Sequence, residues 1–225
     1  MAEPTQGATA EANAGAEAWQ ARAAACELLA LSLRYPGEEL VGIVSSGEWA
    51  DAAREIAGAL GLALPKGWAD DVRDVELHAL RAEATRLFVG APQAACSPYE
   101  GMWRAQDDGV QPLMFVNPHT MAVERFCKAC GLGQAKGGAN DPLDHIATEF
   151  ELLQYLASIE AGIAQPYEQG PDAEAFPGGG AGAAYDEFVA DHLRTFAPRF
   201  AEKLEAEARV SYYRAVAQLL AAYVR

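Results

Sequence analysis

Apolar residues recur at helical spacing along nearly the whole chain. In residues 17–34, EAWQARAAACELLALSLR, the side chains of Trp19, Ala23, Cys26, Leu29, Ala30 and Leu33 share one face, and Pro36-Gly37 ends the run. Shorter helices are predicted over 38–46 and 48–61, the second closed by Gly61. After the break Pro65-Lys66-Gly67, residues 68–88 resume the period with Val72, Val75, Leu80, Leu87 and Phe88. Gly90-Ala91-Pro92 then opens a loop that runs through SPYEGMWR to Pro112.

A fifth helix is predicted from about 118 to 130, closed by Gly131. Residues 131–141, GLGQAKGGAND, hold four glycines and read as a hinge between two halves. The next helix is expected to begin with Asp141 as cap, Pro142 at the first position and Asp144 at the third, where a carboxylate suits the helix dipole. Ile146, Phe150, Leu153 and Leu156 give its buried stripe. Beyond the loop QPYEQGPDAEAFPGGGAG, residues 184–195 place Tyr185, Phe188, Val189, His192, Leu193 and Phe196 on one face. The last helix carries Phe196, Phe200 and Leu204, then Val210, Tyr213, Val216 and Leu220. No segment alternates apolar and polar residues with β-branched enrichment, so the predicted fold class is all-α, a single globular helical domain. Its expected organisation is an Ala-rich acidic disordered tail at 1–16 and a domain at 17–225, with halves 17–130 and 141–225 about a hinge at 131–140.

Charge narrows the function classes. The 225 residues carry 17 Lys plus Arg against 32 Asp plus Glu, a formal net charge of −15. That excess works against nucleic acid, which is bound by neutralising phosphates, and against an anionic membrane surface. It suits a cationic partner such as a basic peptide, and equally serves solubility. The amino end has no basic segment followed by an apolar run, and LLALSL at 28–33 is too short to span a bilayer, so a cytoplasmic protein with no stable membrane insertion is expected.

Few residues carry candidate chemistry. Cys127 and Cys130 have redox or zinc spacing, but no preceding strand and no second ligand pair accompany them, so two small buried residues is the better reading. No phosphate-cradling glycine motif follows a strand. The stretch DPLDHIATEFELL at 141–153 sets Asp144, His145 and Glu149 within two turns. A metal site would recruit His145, Glu149 and either Asp191 or His192, yet the paired Glu-x-x-His motifs of helical di-metal sites are missing. A histidine that fixes a helix start and a contact to a peptide or ligand are the other two readings.

Four segments, in order, resemble the TorD/DmsD family of chaperones for molybdenum oxidoreductases. PLDHIATEF at 142–150 is similar to its P-x-D-H-x-x-x-E-[LF] signature, and ATRLFVGAPQAACSPYEGMWR at 84–104 to its R-L-F-x-G-P…P-Y-E-S segment. FVADHLRTFAPRF at 188–200 is similar to F-x-x-x-H-L-x-x-W-x-P-x-F, and CELLALSLRYP at 26–36 to the first helix. Gly101 stands where the family commonly has Ser, and Phe196 where it has Trp. The resemblance implies an all-helical protein with no catalytic residue and no metal. It implies a chaperone that binds the twin-arginine leader and apo-subunit of a molybdopterin oxidoreductase, aids cofactor insertion and delays export. A nitrate-reductase-type client that is not exported is the narrower variant. Some relatives bind guanine nucleotide weakly and some exchange halves, so the resemblance implies no cofactor beyond weak guanine-nucleotide binding and either a monomer or a domain-swapped dimer. Such a receptor needs an apolar groove with carboxylates near one end. The residues expected to supply it are Pro142, Asp144, His145 and Glu149 for polar contacts, with Leu87, Phe88, Tyr99, Glu100 and Trp103 around them.

Overall fold

The computed structural model describes residues 6–90, 93–110, 117–133 and 142–225. Helices α1 (Gln6–Leu33), α2 (Glu38–Ser46) and α3 (Glu48–Ala59) open the chain. α4 (Leu77–Ala84) runs into a π-helical turn, Thr85–Val89, and is followed by α5 (Glu100–Asp107) and α6 (Pro118–Ala129). α7 (Ile146–Glu160) and α8 (Ala181–Phe188) come next, and α8 passes through a second π-helical turn, Val189–Leu193, into α9 (Arg194–Glu207). α10 (Ser211–Tyr223) completes the set. The fold is all-α. Among the described residues extended pairing is confined to one antiparallel bridge, Tyr99 with His145. No helix among them is long and apolar enough to cross a membrane.

α1 packs most extensively along α7, and α9 packs on α10. One continuous core therefore joins elements from both sides of the Gly-rich segment, with Trp49, Phe150, Phe188, Phe196, Phe200, Tyr212 and Tyr213 wholly buried in it. Trp49 is large and carries a polar edge, so it needs a partner inside the core. Its Nε1 donates to Ser32 Oγ at 2.9 Å, and Ser32 Oγ donates to Leu28 O, so the hydroxyl joins α3 to α1.

Four boundaries differ from the periodicity reading. α1 reaches back to Gln6, into the stretch 1–16 expected as a tail, because alanine-rich sequence has high helix propensity. Residues 68–76 are turns rather than helix. The Glu76 carboxylate accepts from His78 N and Ala79 N and starts α4 there. α7 begins at Ile146 with His145 as its cap, so Pro142 and Asp144 precede the helix, and the expected cap Asp141 lies outside the described residues. The expected single last helix is divided at Ala208–Val210 into α9 and α10. The hinge at 131–140 lies outside the described residues beyond Gly133, while Gly131, at φ 79°, closes α6 as expected of a left-handed helix end.

Candidate functional site

The π-helical turn at 85–89 sets up the site. One extra residue in the turn leaves Leu87 fully buried while Phe88 and Val89 reach a cleft, Val89 being 63% exposed. Gly90 follows at φ 39°. A Cβ there would meet Gln93 O at 2.5 Å, so glycine lets the chain double back. Ala95 N then donates to Arg86 O and Cys96 N to Leu87 O, which lays residues 93–98 against the turn.

Between this loop and α5 lies a cleft of ≈580 Å³ lined by Phe88, Val89, Tyr99, Met102, Trp103 and Gln106, with Lys203 and Glu207 from α9 at its edge. Its aromatic wall is fixed from behind. Phe88 stacks on Phe200 and meets Tyr213 edge-on, and Trp103 meets Phe200 edge-on while its Nε1 donates to Ser97 O at 2.8 Å. Arg199 lies over Trp103 at 5.8 Å and forms a two-pronged pair with Asp107 at 2.7 Å. The carboxylate that lines the cleft is Glu207. Lys203 and Arg86 hold it below the usual carboxylate range.

The polar residues of the sequence motif gather on the other side of α5. Tyr99 and His145 form the antiparallel bridge, with Glu100 N donating to Asp144 O at 2.9 Å and Ile146 N to Pro98 O at 2.8 Å. The two rings meet edge to face at 5.2 Å, and His145 Nδ1 accepts from Ala147 N. Asp144, 1% exposed, takes Gly101 N and Thr120 Oγ1 on its Oδ2, while Oδ1 has no hydrogen-bond partner among the described residues. Burial raises its carboxyl, partly opposed by those two bonds. Glu100, wholly buried, accepts from Arg104 Nη1 at 2.9 Å and faces His192 Nδ1 at 3.0 Å. Arg104 also reaches Thr195 Oγ1, and the π-helical turn at 189–193 brings His192 inward. Glu149 is 0% exposed, and among the described residues no donor meets either of its oxygens. Burial, then the nearby Glu100 and Asp144 carboxyls, raise it well above the ordinary glutamate value.

The expected residues therefore divide. Phe88, Tyr99 and Trp103 line the cleft; Leu87 is core. Glu100, Asp144 and Glu149 form a buried hub that no solvent-borne cation reaches, since carboxylates must be paired or neutral when so enclosed. Pro142 lies just ahead of the bridge and does not line the cleft. Arg104, Asn117, Thr120 and His192 complete the hub, and of these only His192 entered the sequence reading, as a metal ligand. Asn117 Oδ1 caps α6 at His119 N, while its Nδ2 donates to Gly101 O at 2.7 Å. Gly101 has no room for a Cβ, which would sit 2.6 Å from Thr120 Oγ1 and 2.9 Å from Asp144 Oδ2, so Thr120 supplies the hydroxyl at this corner.

Among the described residues no three His, Cys, Asp or Glu side chains converge to hold a metal ion, so geometry gives the reading with His145, Glu149 and Asp191 or His192 no support. Cys127 and Cys130 are buried, and burial pushes both thiols up to about 12, far from a reactive thiolate. A separate cleft of ≈430 Å³ between the end of α6 and α7 is lined by Leu132, Leu143, Leu152 and Tyr155, with Glu151 at its edge paired to Arg34.

Comparison with known proteins adds two likenesses. The sequence profile of the family described as nitrate reductase delta subunit matches residues 46–202. A crystal structure from Archaeoglobus fulgidus, of a protein assigned to redox enzyme maturation, superposes with a TM-score of 0.55 at 19% identity, over 88% of this chain and 93% of that one. At that identity the likeness speaks for the fold. No curated protein matches the sequence.

Proposed function

The chain belongs to the nitrate reductase delta subunit family, whose members are redox-enzyme maturation chaperones and not catalysts, and from that premise we propose that it receives the twin-arginine leader of a molybdopterin oxidoreductase subunit. Residues 17–225 act as one chaperone domain, in the cytoplasm, before the client is exported. The observation that carries the reading is the aromatic cleft walled by Phe88, Tyr99, Met102 and Trp103. A leader's apolar stretch needs such a surface to stay out of water, and Met beside rigid aromatics accommodates varied apolar side chains. The net charge of −15 draws the leader's arginines to the protein, and Glu207 marks the cleft edge where one of them would sit.

The test is a fluorescence titration with synthetic leader peptides taken from the host's molybdenum enzymes, comparing wild type with Val89→Arg. Val89 is exposed, so the substitution adds a cation at the cleft without disturbing the core. Saturable binding, weakened at least about tenfold in the variant, is expected. Equal affinity for both proteins would place the leader elsewhere.

The family description favours a second reading, a nitrate-reductase-type subunit that carries no leader. It predicts that no leader peptide binds while a leaderless apo-subunit is captured.

A further inference from the structure

Glu149 takes no part in the client cleft. Its carboxyl is completely enclosed, neither oxygen meets an N–H or hydroxyl of the described residues, and the group lies within hydrogen-bonding reach of Glu100. Titratable groups reach it from four elements. From α5 come Glu100 and, on its far side, Arg104. The segment before α7 supplies Asp144, α6 supplies Cys127, and the π-helical turn at 189–193 supplies His192 against Glu100. Arg104 and His192 both address Glu100, and the two donors to Asp144 are Gly101 N and Thr120. No cation is left for Glu149 among the described residues.

We infer that Glu149 is a neutral carboxylic acid in the folded protein, that its proton is donated to Glu100, and that this shared proton positions α5 as the wall of the client cleft. Two facing carboxyls enclosed together keep one proton between them, because both cannot ionise. α5 transmits the effect. Tyr99, Met102, Trp103 and Gln106 face the cleft, while Glu100 and Arg104 face the hub. Glu149 is thus a positioning residue that acts through Glu100. Burial raises its carboxyl from the ordinary 4.5, in agreement with the geometry.

The sign follows. The folded state holds a proton that the unfolded state releases above about 4.5. Its contribution is therefore complete below that pH and is lost as pH rises through the folded value. Across that window the wild-type folded-to-unfolded ratio falls about tenfold per pH unit from this group alone.

The experiment follows side-chain carboxyl carbons by NMR, assigned through bonds, in wild type and Glu149→Gln, with thermal midpoints against pH and amide exchange of residues 99–107 relative to intrinsic rates. The Glu149 carboxyl is expected to keep its protonated shift at pH values where an ordinary glutamate is already ionised. Glu149→Gln, whose amide N–H replaces the acid proton, gains stability over wild type as pH rises and keeps α5 protected where wild type loosens. A Glu149 resonance that titrates at the ordinary glutamate value overturns the inference from wild type alone, whether or not the variant folds. Identical α5 exchange in the two proteins overturns the positioning role. None of these readouts uses a client, so they stand apart from the leader-binding test.

Discussion

Two enclosed glutamates in this chain sit in opposite electrostatic states. Glu83 of α4 is 6% exposed, and its oxygens take Arg86 Nε and Nη2 at 2.9 Å and Arg209 N at 2.7 Å. Burial raises its carboxyl, but the Arg86 and Arg209 bonds more than offset that, and it ends below the ordinary value. Glu149 of α7 is the more deeply enclosed, meets no donor among the described residues, faces two other carboxyls and ends well above. Burial is common to both. The supply of donors decides whether an enclosed carboxyl is a charge or an acid.

The largest effect should come from removing the charged member. Glu83→Ala leaves the Arg209 N–H without its acceptor and Arg86 with Glu207 alone, and should lower stability by about 3 kcal/mol in urea unfolding, whereas Glu149→Gln should raise it at neutral pH. A gain in the first or a comparable loss in the second would break the comparison.

The pH profile sharpens it. Glu83, with its lowered carboxyl, contributes stability present above about 4.5 and lost as pH falls through its folded value. Glu149 gives the opposite limb, lost as pH rises. Thermal midpoints should form a dome whose acid limb flattens in Glu83→Gln and whose alkaline limb flattens in Glu149→Gln.

A smaller effect tests the hub's packing. Gly101→Ala drives a Cβ against Thr120 Oγ1 and Asp144 Oδ2 and should cost about 1–3 kcal/mol. Adding Thr120→Ala should return about 1 kcal/mol of it in a double-mutant cycle, and strict additivity would contradict the crowding. The smallest change is expected at the cleft edge. Lys203→Ala removes a solvent-exposed partner of Glu207 and should leave the unfolding midpoint within error.

The helices were legible because burial along them has the 3.6-residue period, as the Tyr185–Phe196 face and the Ile146–Leu156 stripe illustrate. The start of α7 was not legible. Asp141-Pro142 has the local chemistry of a helix start, yet tertiary pairing with Pro98 and Glu100 claims the backbone of 144–146 and moves the start to Ile146. The cleft aromatics Phe88, Tyr99 and Trp103 come from the resemblance, while Val89 escapes it because a π-helical turn leaves no mark in spacing, and Met102 because the face α5 turns to the cleft is set by tertiary packing. The acidic motif residues were found, but their enclosure was not. An Asp or Glu reads the same whether it faces water or another carboxyl, and that difference is made by α5, α6 and the π-helical turn at 189–193 closing over them.

The proposed role of the aromatic cleft is to hold a redox-enzyme subunit during its maturation. Its most direct test is co-purification of tagged wild type and Val89→Arg from the native host, with partners identified by mass spectrometry. The account predicts that wild type recovers a molybdoenzyme subunit still carrying its twin-arginine leader and that Val89→Arg, equally stable, recovers little of it. Equal recovery by both proteins, or no redox-enzyme subunit under conditions that induce one, would contradict the claim.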